Sequence, residues 1–453
     1  MKNNKYEIDM CNGTLMDKLI SFSLPLMLSG ILQLLFNAVD IIVVGRFTGS
    51  QALAAVGSTT ALINIFTNLF IGISLGANVL AARFYASGKE QEMSETVHTS
   101  ITLALISGLV MALAGVLLAR FALNLMGTPN DVIDQSVLYM RIYFLGMPFF
   151  MLYNYGAAIL RAVGDTKRPL FFLVISGMTN AVLNLVLVIV FHMGVAGVAI
   201  GTIVSQLISS ILVLRCLYTS NTSYRLYFSK LGIKTQYLKQ IFQVGIPAGI
   251  QSTVINLSNA LLQSSVNSFG STAMAGYTAA NNIFGFLYVT VNSVTQTCMS
   301  FTSQNYGAGK SKRMDKVLID CIILSVVITS ILGVSAYGFG PELLKIYTED
   351  AKVIQCGMEI LLYTTVTYFL CGLMDLFPGA LRGMGHSAVP MILSVIGTVG
   401  TRIVWIFWIF PAHRSLDILF ISYPASWIIT IIMQVICYYF VRKKVHRSMQ
   451  RQA

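Results

Sequence analysis

The sequence predicts an all-α integral membrane protein with twelve transmembrane helices in two six-helix lobes. The chain is 55% hydrophobic and only 11% charged, whereas a soluble domain carries about 25% charged residues. It contains twelve apolar segments long enough to cross a bilayer, which takes about 20 residues each. The second half of the chain also repeats the first. Together these observations define the fold class.

The breaks between the apolar segments contain Gly, Pro and clustered charges, as helix ends require. The segments are residues 19–45, 52–82, 94–119, 132–160, 169–192, 196–218, 238–266, 273–304, 316–339, 352–381, 388–411 and 416–441. They predict five parts of the chain. These are an N-terminal segment (1–18), a first lobe (19–218), a linker (219–237), a second lobe (238–441) and a basic tail (442–453).

The basic residues orient these segments across the membrane. Both termini and the breaks after even-numbered segments hold 23 Lys and Arg residues, against five in the breaks after odd-numbered segments. Because basic residues concentrate in cytoplasmic loops, both termini and the linker are predicted to be cytoplasmic, in a multi-pass cell-membrane protein. The same asymmetry explains the net charge of +12, so no nucleic-acid partner is expected.

The two halves are related by a shift of 222 residues, which becomes 221 after a one-residue slip. The matching positions include Pro25 with Pro247, Asn37 with Asn259, and 160–164 with 381–385. Six helices is an even number, so both halves have the same orientation and are related by an axis along the membrane normal. Such a pair of parallel lobes is typical of alternating-access transporters.

Asp40 is the residue that most clearly indicates a function. It lies in the first apolar segment, about six residues or ~9 Å from its polar end. A charge at such a depth costs roughly 2.5–3.5 kcal/mol on insertion scales and is functional by default. Its counterpart in the second lobe is Leu262, so the predicted site belongs to the first lobe alone.

Several neutral oxygen-bearing side chains lie at a similar depth in the first lobe. Asn180 and Asn184 have i, i+4 spacing on one helix face, and Thr202 and Tyr139 enter neighbouring segments to ~10–12 Å. One carboxylate with such neighbours suits a proton on Asp40 or a small hard cation such as Na⁺. The alternative interpretation is that each amide or hydroxyl only joins two helices.

The second lobe has its own charge inside a segment, Asp375, which replaces Asn154 of the first lobe. Arg141 and Arg402 are the comparably placed bases. These charges are either functional or pair with one another, Asp40 with Arg141 and Asp375 with Arg402. Asp375 is our candidate for attracting a cationic substrate.

The chain resembles the multidrug and toxic compound extrusion (MATE) transporters. The resemblance rests on Asp40, VGR (44–46), ALAAVG (52–57), LRAVGD (160–165) and GVAGVAIGT (194–202), with echoes in the second half. It implies efflux of varied, often cationic amphiphiles driven by inward H⁺ or Na⁺. It also implies that Asp40, Asn180, Thr202, Tyr139 and Asn154 form the first-lobe cation site.

One departure from the family concerns Asn184, where several members carry an acid. The departure leaves Asp40 as the sole first-lobe carboxylate of the predicted site, and leaves both H⁺ and Na⁺ open as the coupling ion.

Pro25 and Gly30 are candidate hinge residues of the first helix, since helix-breaking residues let spans bend. Ordinary kinking or close packing is the alternative for both.

Three other functions are less well supported. A lipid-linked precursor flippase would need several bases inside the cavity to bind a pyrophosphate. A membrane-embedded transferase would need clustered histidines or paired acids, whereas the five histidines are scattered. A single buried acid in a duplicated chain favours a carrier over a channel.

The seven scattered cysteines indicate neither a metal site nor disulfides. We expect no enzymatic activity, no cofactor, and function as a monomer.

Overall fold

A computed structural model describes residues 6–452 of the chain. Residues 1–5 and 453, which belong to the predicted N-terminal segment and basic tail, lie outside the described residues. Within 6–452 every regular element is helical, so the predicted all-α class is confirmed.

The first half of the chain contains seven α-helices among the described residues. They are α1 (Met16–Phe47), α2 (Ser50–Ala86), α3 (Glu90–Leu125), α4 (Ile133–Leu145), α5 (Met147–Ala162), α6 (Lys167–Leu185) and α7 (Gly194–Tyr218). A π-helical stretch, Val186–Val190, extends α6. A short 3₁₀ helix, Phe228–Lys230, lies in the connection to the second half.

The second half follows the same order, with a more broken penultimate span. Its helices are α8 (Thr235–Asn267), α9 (Ser271–Gly307), α10 (Ser311–Gly338), α11 (Gly340–Lys345), α12 (Ala351–Thr365), α13 (Tyr368–Gly383), α14 (Ala388–Ser394), α15 (Thr401–Val404), α16 (Phe410–Ala412) and α17 (Leu416–Gln452). π-Helical stretches at Val395–Gly400 and Trp405–Ile409 flank α15.

Each of the twelve predicted apolar segments falls on one helix or one consecutive set of helices. Eight spans in the described chain are long and apolar enough to cross a membrane, and two bent pairs bring the number to ten. The other two predicted segments correspond to α8 and α9, which are long but rich in Ser, Thr, Asn and Gln. Membrane helices of this composition face protein or a water-filled cavity rather than lipid.

The two bent pairs were predicted as single segments. The chain bends by 45° between α4 and α5 and by 42° between α12 and α13. At the first bend Gly146 ends α4 and Pro148 lies in the first turn of α5. Proline fits a first helical turn but not a helix interior, so a new helix begins there.

The helices form two compact units, which differ from the predicted lobes at two helices. Among the described residues, the first unit contains 6–9 and Leu28–Gly249, and the second contains Met10–Met27 and residues from Ile250 onward. The beginning of α1 therefore belongs to the second unit and the beginning of α8 to the first. The changeover follows Pro25 in α1 and Pro247 in α8 by two residues each.

The N-terminal segment is attached to the first unit by its acidic side chain. Glu7 accepts hydrogen bonds from the hydroxyls of Tyr85 at 2.8 Å and Tyr224 at 2.6 Å. The Ile8 N–H donates to the carbonyl of Gly164 at 3.2 Å. Gly164 has φ +98°, and a Cβ there would lie 2.5 Å from the Ile8 carbonyl oxygen. Only glycine combines that backbone conformation with so close an approach.

The connection predicted as a linker is packed against the first unit. Tyr224 and Leu226 are fully buried. The Tyr227 N–H donates to Nε2 of His98 at 3.0 Å, while the Nδ1 of that histidine lies 2.6 Å from the Ser94 carbonyl. The connection is therefore part of the first unit rather than a free tether.

Glycines bring α2 and the first half of α8 into close contact within the first unit. Gly72 and Gly76 on α2, and Gly245 and Gly249 on α8, each have GxxxG spacing, which lets two helix backbones approach. A Cβ on Gly72 would lie 2.3 Å from Gly249 Cα, and one on Gly76 would lie 2.1 Å from the Ile241 carbonyl oxygen. The contact has no room for a side chain.

We predict that Gly76→Ala destabilises the protein, whereas Gly57→Ala on the same helix does not. The methyl group at Gly76 would press on backbone that cannot move aside, and overpacking of this kind costs about 1–3 kcal/mol. Gly57 faces open space, where alanine gains up to about 1 kcal/mol of helix propensity. Thermal unfolding of both purified variants in detergent measures the difference. Equal unfolding temperatures for the two variants would contradict the close contact.

Candidate functional site

The structure places Asp40 against a buried amide. Asp40 is half-buried in the C-terminal half of α1, and Asn184 is fully buried in the last turn of α6. The Asn184 Nδ2 donates a hydrogen bond to Oδ1 of Asp40. The charged group in this apolar helix therefore has a polar, uncharged partner within the first unit.

This contact continues as a chain of hydrogen bonds across three helices. Asn184 also donates to Oδ1 of Asn180 at 3.3 Å, and Asn180 donates to Oγ1 of Thr202 on α7 at 3.4 Å. The Thr202 hydroxyl donates in turn to the Val198 carbonyl at 3.0 Å. Four of the residues predicted from depth and spacing, Asp40, Asn180, Asn184 and Thr202, thus lie together.

Two glycines allow this packing. A Cβ on Gly201 of α7 would lie 2.2 Å from Oδ1 of Asn184, and one on Gly177 of α6 would overlap the Phe36 ring of α1. Any larger residue at either position would push α6 away from α7 or α1. The π-helical stretch Val186–Val190 begins two residues after Asn184, and such stretches often occur at functional sites.

Tyrosines from α4 border the site. Tyr139 is buried and lies within electrostatic range of Asp40. Tyr143, which was not predicted, lies within the same range and is hydrogen-bonded to Gln206 of α7. The two rings are 6.0 Å apart. The i, i+4 spacing of the tyrosines on one helix face is the signal that could have identified Tyr143.

Two further residues form other contacts in the structure. The Asn154 side chain donates to the Phe150 carbonyl of its own helix at 2.8 Å, so its membership of the cation site stays a prediction. The interpretation that pairs Asp40 with Arg141 is wrong. Arg141 is exposed and its Nε donates to the Val116 carbonyl at 3.1 Å.

The donor set determines which ions the site suits. Asp40 supplies one carboxylate, and Oδ1 of Asn184 is buried without a hydrogen-bond partner in the described part of the chain. Nowhere in residues 6–452 do three His, Cys, Asp or Glu side chains cluster as a metal site would require. One acid with amide and hydroxyl oxygens fits a proton or a monovalent hard cation better than a divalent metal.

A second charged region lies in the second unit. Asp375 is half-buried on α13, and its charged neighbour is Arg382, two turns further along the same helix. Arg402, which was expected as its alternative partner, instead donates from Nη1 to Oδ1 of Asn259 at 2.8 Å. Asp375 and Arg402 do not form the expected ion pair, because Arg402 turns toward α8.

The loop between α5 and α6 contains a buried ion pair. The Arg168 side chain donates to the Asp165 carboxylate, and the Arg168 N–H donates to Oδ1 of Asp165 at 3.1 Å. Burial raises the pKa of the Asp165 carboxyl, and the charge and hydrogen bonds of Arg168 oppose that shift. The pair orders the polar end of α6 and takes no part in the Asp40 site.

Both halves of the chain are similar to known proteins. The MatE family model matches residues 25–186 and 247–408, one copy in each half. The chain is 30% identical to "Probable multidrug resistance protein YoeA" of Bacillus subtilis, covering 93% of both chains. It is 22% identical to "Multidrug export protein MepA" of Staphylococcus aureus, covering 83% of this chain and 84% of that protein.

Solved structures show the same fold. The chain superposes with a TM-score of 0.89 and 20% identity, over 100% of both chains, on the "Outward-facing conformation of a multidrug resistance MATE family transporter of the MOP superfamily". The duplicated family match and the 30% identical relative together establish the family. The chain belongs to the MatE family, the multidrug and toxic compound extrusion transporters.

Proposed function

We propose that this protein is a cation-coupled antiporter that exports amphiphilic, often cationic compounds by alternating access. The names of its relatives in Bacillus and Staphylococcus support multidrug export. The observation that carries the coupling step is the Asp40–Asn184 contact, a carboxylate held by one amide in an apolar bundle. The coupling ion is H⁺ or Na⁺.

The Asn184 amide can serve both charge states of Asp40. With Asp40 ionised, the amide N–H donates to the carboxylate as observed. With Asp40 protonated, or with Na⁺ bound, the amide oxygen becomes the partner, because an Asn side chain has both donors and an acceptor. That oxygen is the buried atom with no partner among the described side chains. The amide therefore offers a hydrogen-bonding group to Asp40 in either charge state.

Ion binding changes conformation only through a difference in affinity between two access states. Neutralising Asp40 removes most of the desolvation penalty of a closed, low-dielectric arrangement. Uptake from outside therefore favours the state in which the site is shut. Release inside then returns the site to its charged form.

Pro25 and Gly30 are proposed as the hinge of α1. Pro25 lies inside the helix and precedes by two residues the point where α1 passes from one unit to the other. Pro247 has the same relation to the changeover in α8. Interior prolines remove a backbone hydrogen bond, so the chain can bend where it changes unit.

The remaining proposals concern orientation, assembly and substrate. The asymmetry of basic residues supports cytoplasmic termini. All residues of the proposed cation site come from one unit of one chain, which supports function as a monomer. Asp375 remains the proposed contact for a cationic group of the substrate, since this acid lies well inside a membrane-spanning segment of the second unit.

We predict that Asp40→Asn abolishes ion-driven efflux, because asparagine keeps the size and hydrogen bonding of Asp40 but cannot release a proton or balance a cation. The measurement is export of a fluorescent cationic dye from proteoliposomes under a proton gradient and a sodium gradient separately. Asp134→Asn, which changes an exposed acid paired with Arg120, is the control and should behave as the wild type. Full ion-driven export by Asp40→Asn would refute the coupling role.

We predict that Asn184→Asp shifts the ion dependence of transport. A second carboxylate beside Asp40 disfavours ionisation of both, so the midpoint of the pH or Na⁺ dependence should move by about one pH unit or tenfold in concentration. Asn124→Asp makes the same chemical change at an exposed position at the end of α3 and should cause no shift. An unchanged midpoint for Asn184→Asp would separate Asn184 from the coupling site.

We predict that Gly201→Ala shifts the cation dependence of transport without replacing a polar side chain. Its methyl group would displace the Asn184 amide, which lies 2.2 Å from the new Cβ. Because a hydrogen bond to a charged group contributes about 1.5–3 kcal/mol, the cation concentration for half-maximal transport should change about tenfold or more. Gly57→Ala is the matched control. If both variants show wild-type cation dependence, the amide does not act on Asp40.

A further inference from the structure

Arg402 is a buried cation of the second unit that the proposed coupling mechanism does not use. It is 3% exposed, and none of the ion pairs formed in residues 6–452 includes it. Its Nη1 donates to the neutral amide of Asn259. Its Nε is buried without a hydrogen-bond partner in the described chain. A buried polar donor of this kind is normally satisfied, so one edge of the guanidinium is left available for an acceptor.

The surroundings of Arg402 hold its guanidinium plane in a fixed orientation. The ring of Tyr423 lies 4.4 Å from the guanidinium carbon, which covers one face of the plane. The Tyr423 hydroxyl is 3.4 Å from that of Tyr277. π-Helical stretches lie on both sides of the short helix that carries Arg402. A fixed planar fork with a free edge is the geometry that binds a carboxylate through two hydrogen bonds.

The partner of Arg402 lies on a polar stripe of α8. Ser252, Asn256, Asn259, Gln263 and Asn267 follow one another at spacings of three or four residues, so they share one helix face. Members of this stripe are exposed or half-exposed. A molecule that reaches the stripe can replace Asn259 as the acceptor, or bind beside it.

Arg402 is also the charge-inverted counterpart of the site in the first unit. Asn259 repeats Asn37, one turn before Asp40 on the equivalent helix. Arg402 lies on the repeat of α6, close to the counterpart of Asn180 and one turn before that of Asn184. The first unit therefore joins its two helices through a carboxylate and an amide, and the second joins the equivalent helices through an amide and a guanidinium.

An acidic and a basic side chain lie near Cys371 in the second unit. Cys371 interacts electrostatically with Asp375, one turn along α13, and with Arg402. The two charges do not approach to within ion-pair distance of one another in the structure. An acid and a base that remain apart can bind the two charges of a single zwitterionic molecule.

We propose that Arg402 is an anion-binding residue that, with Asp375, selects zwitterionic amphiphiles carrying a carboxylate. The proposal rests on the proposed export function and specifies a substrate class for it. The carboxylate binds the free edge of the guanidinium, and the cationic group binds Asp375. The aromatic residues around Arg402, Tyr277 and Tyr423, contact the apolar body of the molecule.

The experiment uses two dyes that differ at one group. Rhodamine B carries a cationic ring system and a carboxylate, and its ethyl ester carries the same ring system without the negative charge. Export of each dye is measured in proteoliposomes for the wild type, Arg402→Gln and Arg402→Lys. Arg414→Gln is the control, because Arg414 is an exposed arginine of the same unit.

For Arg402→Gln we expect at least a tenfold fall in export of the carboxylate dye, with an unchanged rate for the ester. Arg402→Lys keeps the charge but loses the two-bond fork, so its loss should be smaller and confined to the carboxylate dye. Arg414→Gln should leave both rates unchanged. A rise in KM rather than a fall in kcat would locate the effect in substrate binding.

An equal effect of Arg402→Gln on both dyes, or no effect on either, would overturn the assignment. Wild-type export of the ester without the carboxylate dye would overturn it too, while leaving the proposed export function intact. Export of neither dye under any ion gradient would reject both. If Arg402→Gln does not fold, quenching of the tryptophan fluorescence of Arg402→Lys replaces it, since Trp427 lies 5.7 Å from Tyr423. Equal loss of affinity for both dyes would then refute the proposal.

Discussion

A single carboxylate inside an apolar helix bundle is the constraint on which the first unit depends. A buried charge costs roughly 2.5–3.5 kcal/mol on insertion scales, and a hydrogen bond to it recovers about 1.5–3 kcal/mol. Asp40 therefore needs Asn184 within bonding distance, which requires α1 and α7 to approach α6 closely. Phe36 packed on Gly177 and the absence of a side chain at Gly201 meet that requirement. The small residues around the site follow from its one charged residue.

Much of the site could be predicted because depth and helical spacing are properties of the sequence. Asp40, Asn180, Asn184 and Thr202 were expected at one level and lie together. The depth of a residue in its segment does not specify on which side of the helix its side chain lies. Arg141 lies inside a segment and was therefore a possible ion-pair partner of Asp40, yet it is exposed and bonds to the Val116 carbonyl. Its placement depends on helix rotation, which only packing determines.

In the fold, too, some features follow from the local sequence and others only from tertiary contacts. Ten of the twelve predicted spans are long and apolar enough to cross a membrane in the described chain, because the length of an apolar segment depends on the sequence alone. The passage of α1 and α8 from one unit to the other depends on tertiary contacts. The internal repeat instead predicts that the units divide between the two halves of the chain. One sequence signal for the contact of α8 with the first unit was nevertheless present. Gly72 with Gly76 and Gly245 with Gly249 have GxxxG spacing, which indicates close helix contact, and these glycines join α2 to α8.

The distribution of charge between the units limits how coupling can work. The proposed cation residues belong to the first unit, and Asp375 and Arg402 belong to the second. On these proposed assignments the two sets share no residue, so an ion and a substrate would bind different carboxylates. Each would then bias the same conformational equilibrium through its own difference in affinity. Helices α1 and α8 contribute residues to both units and change unit just beyond a proline, which is consistent with the proposed hinge at Pro25.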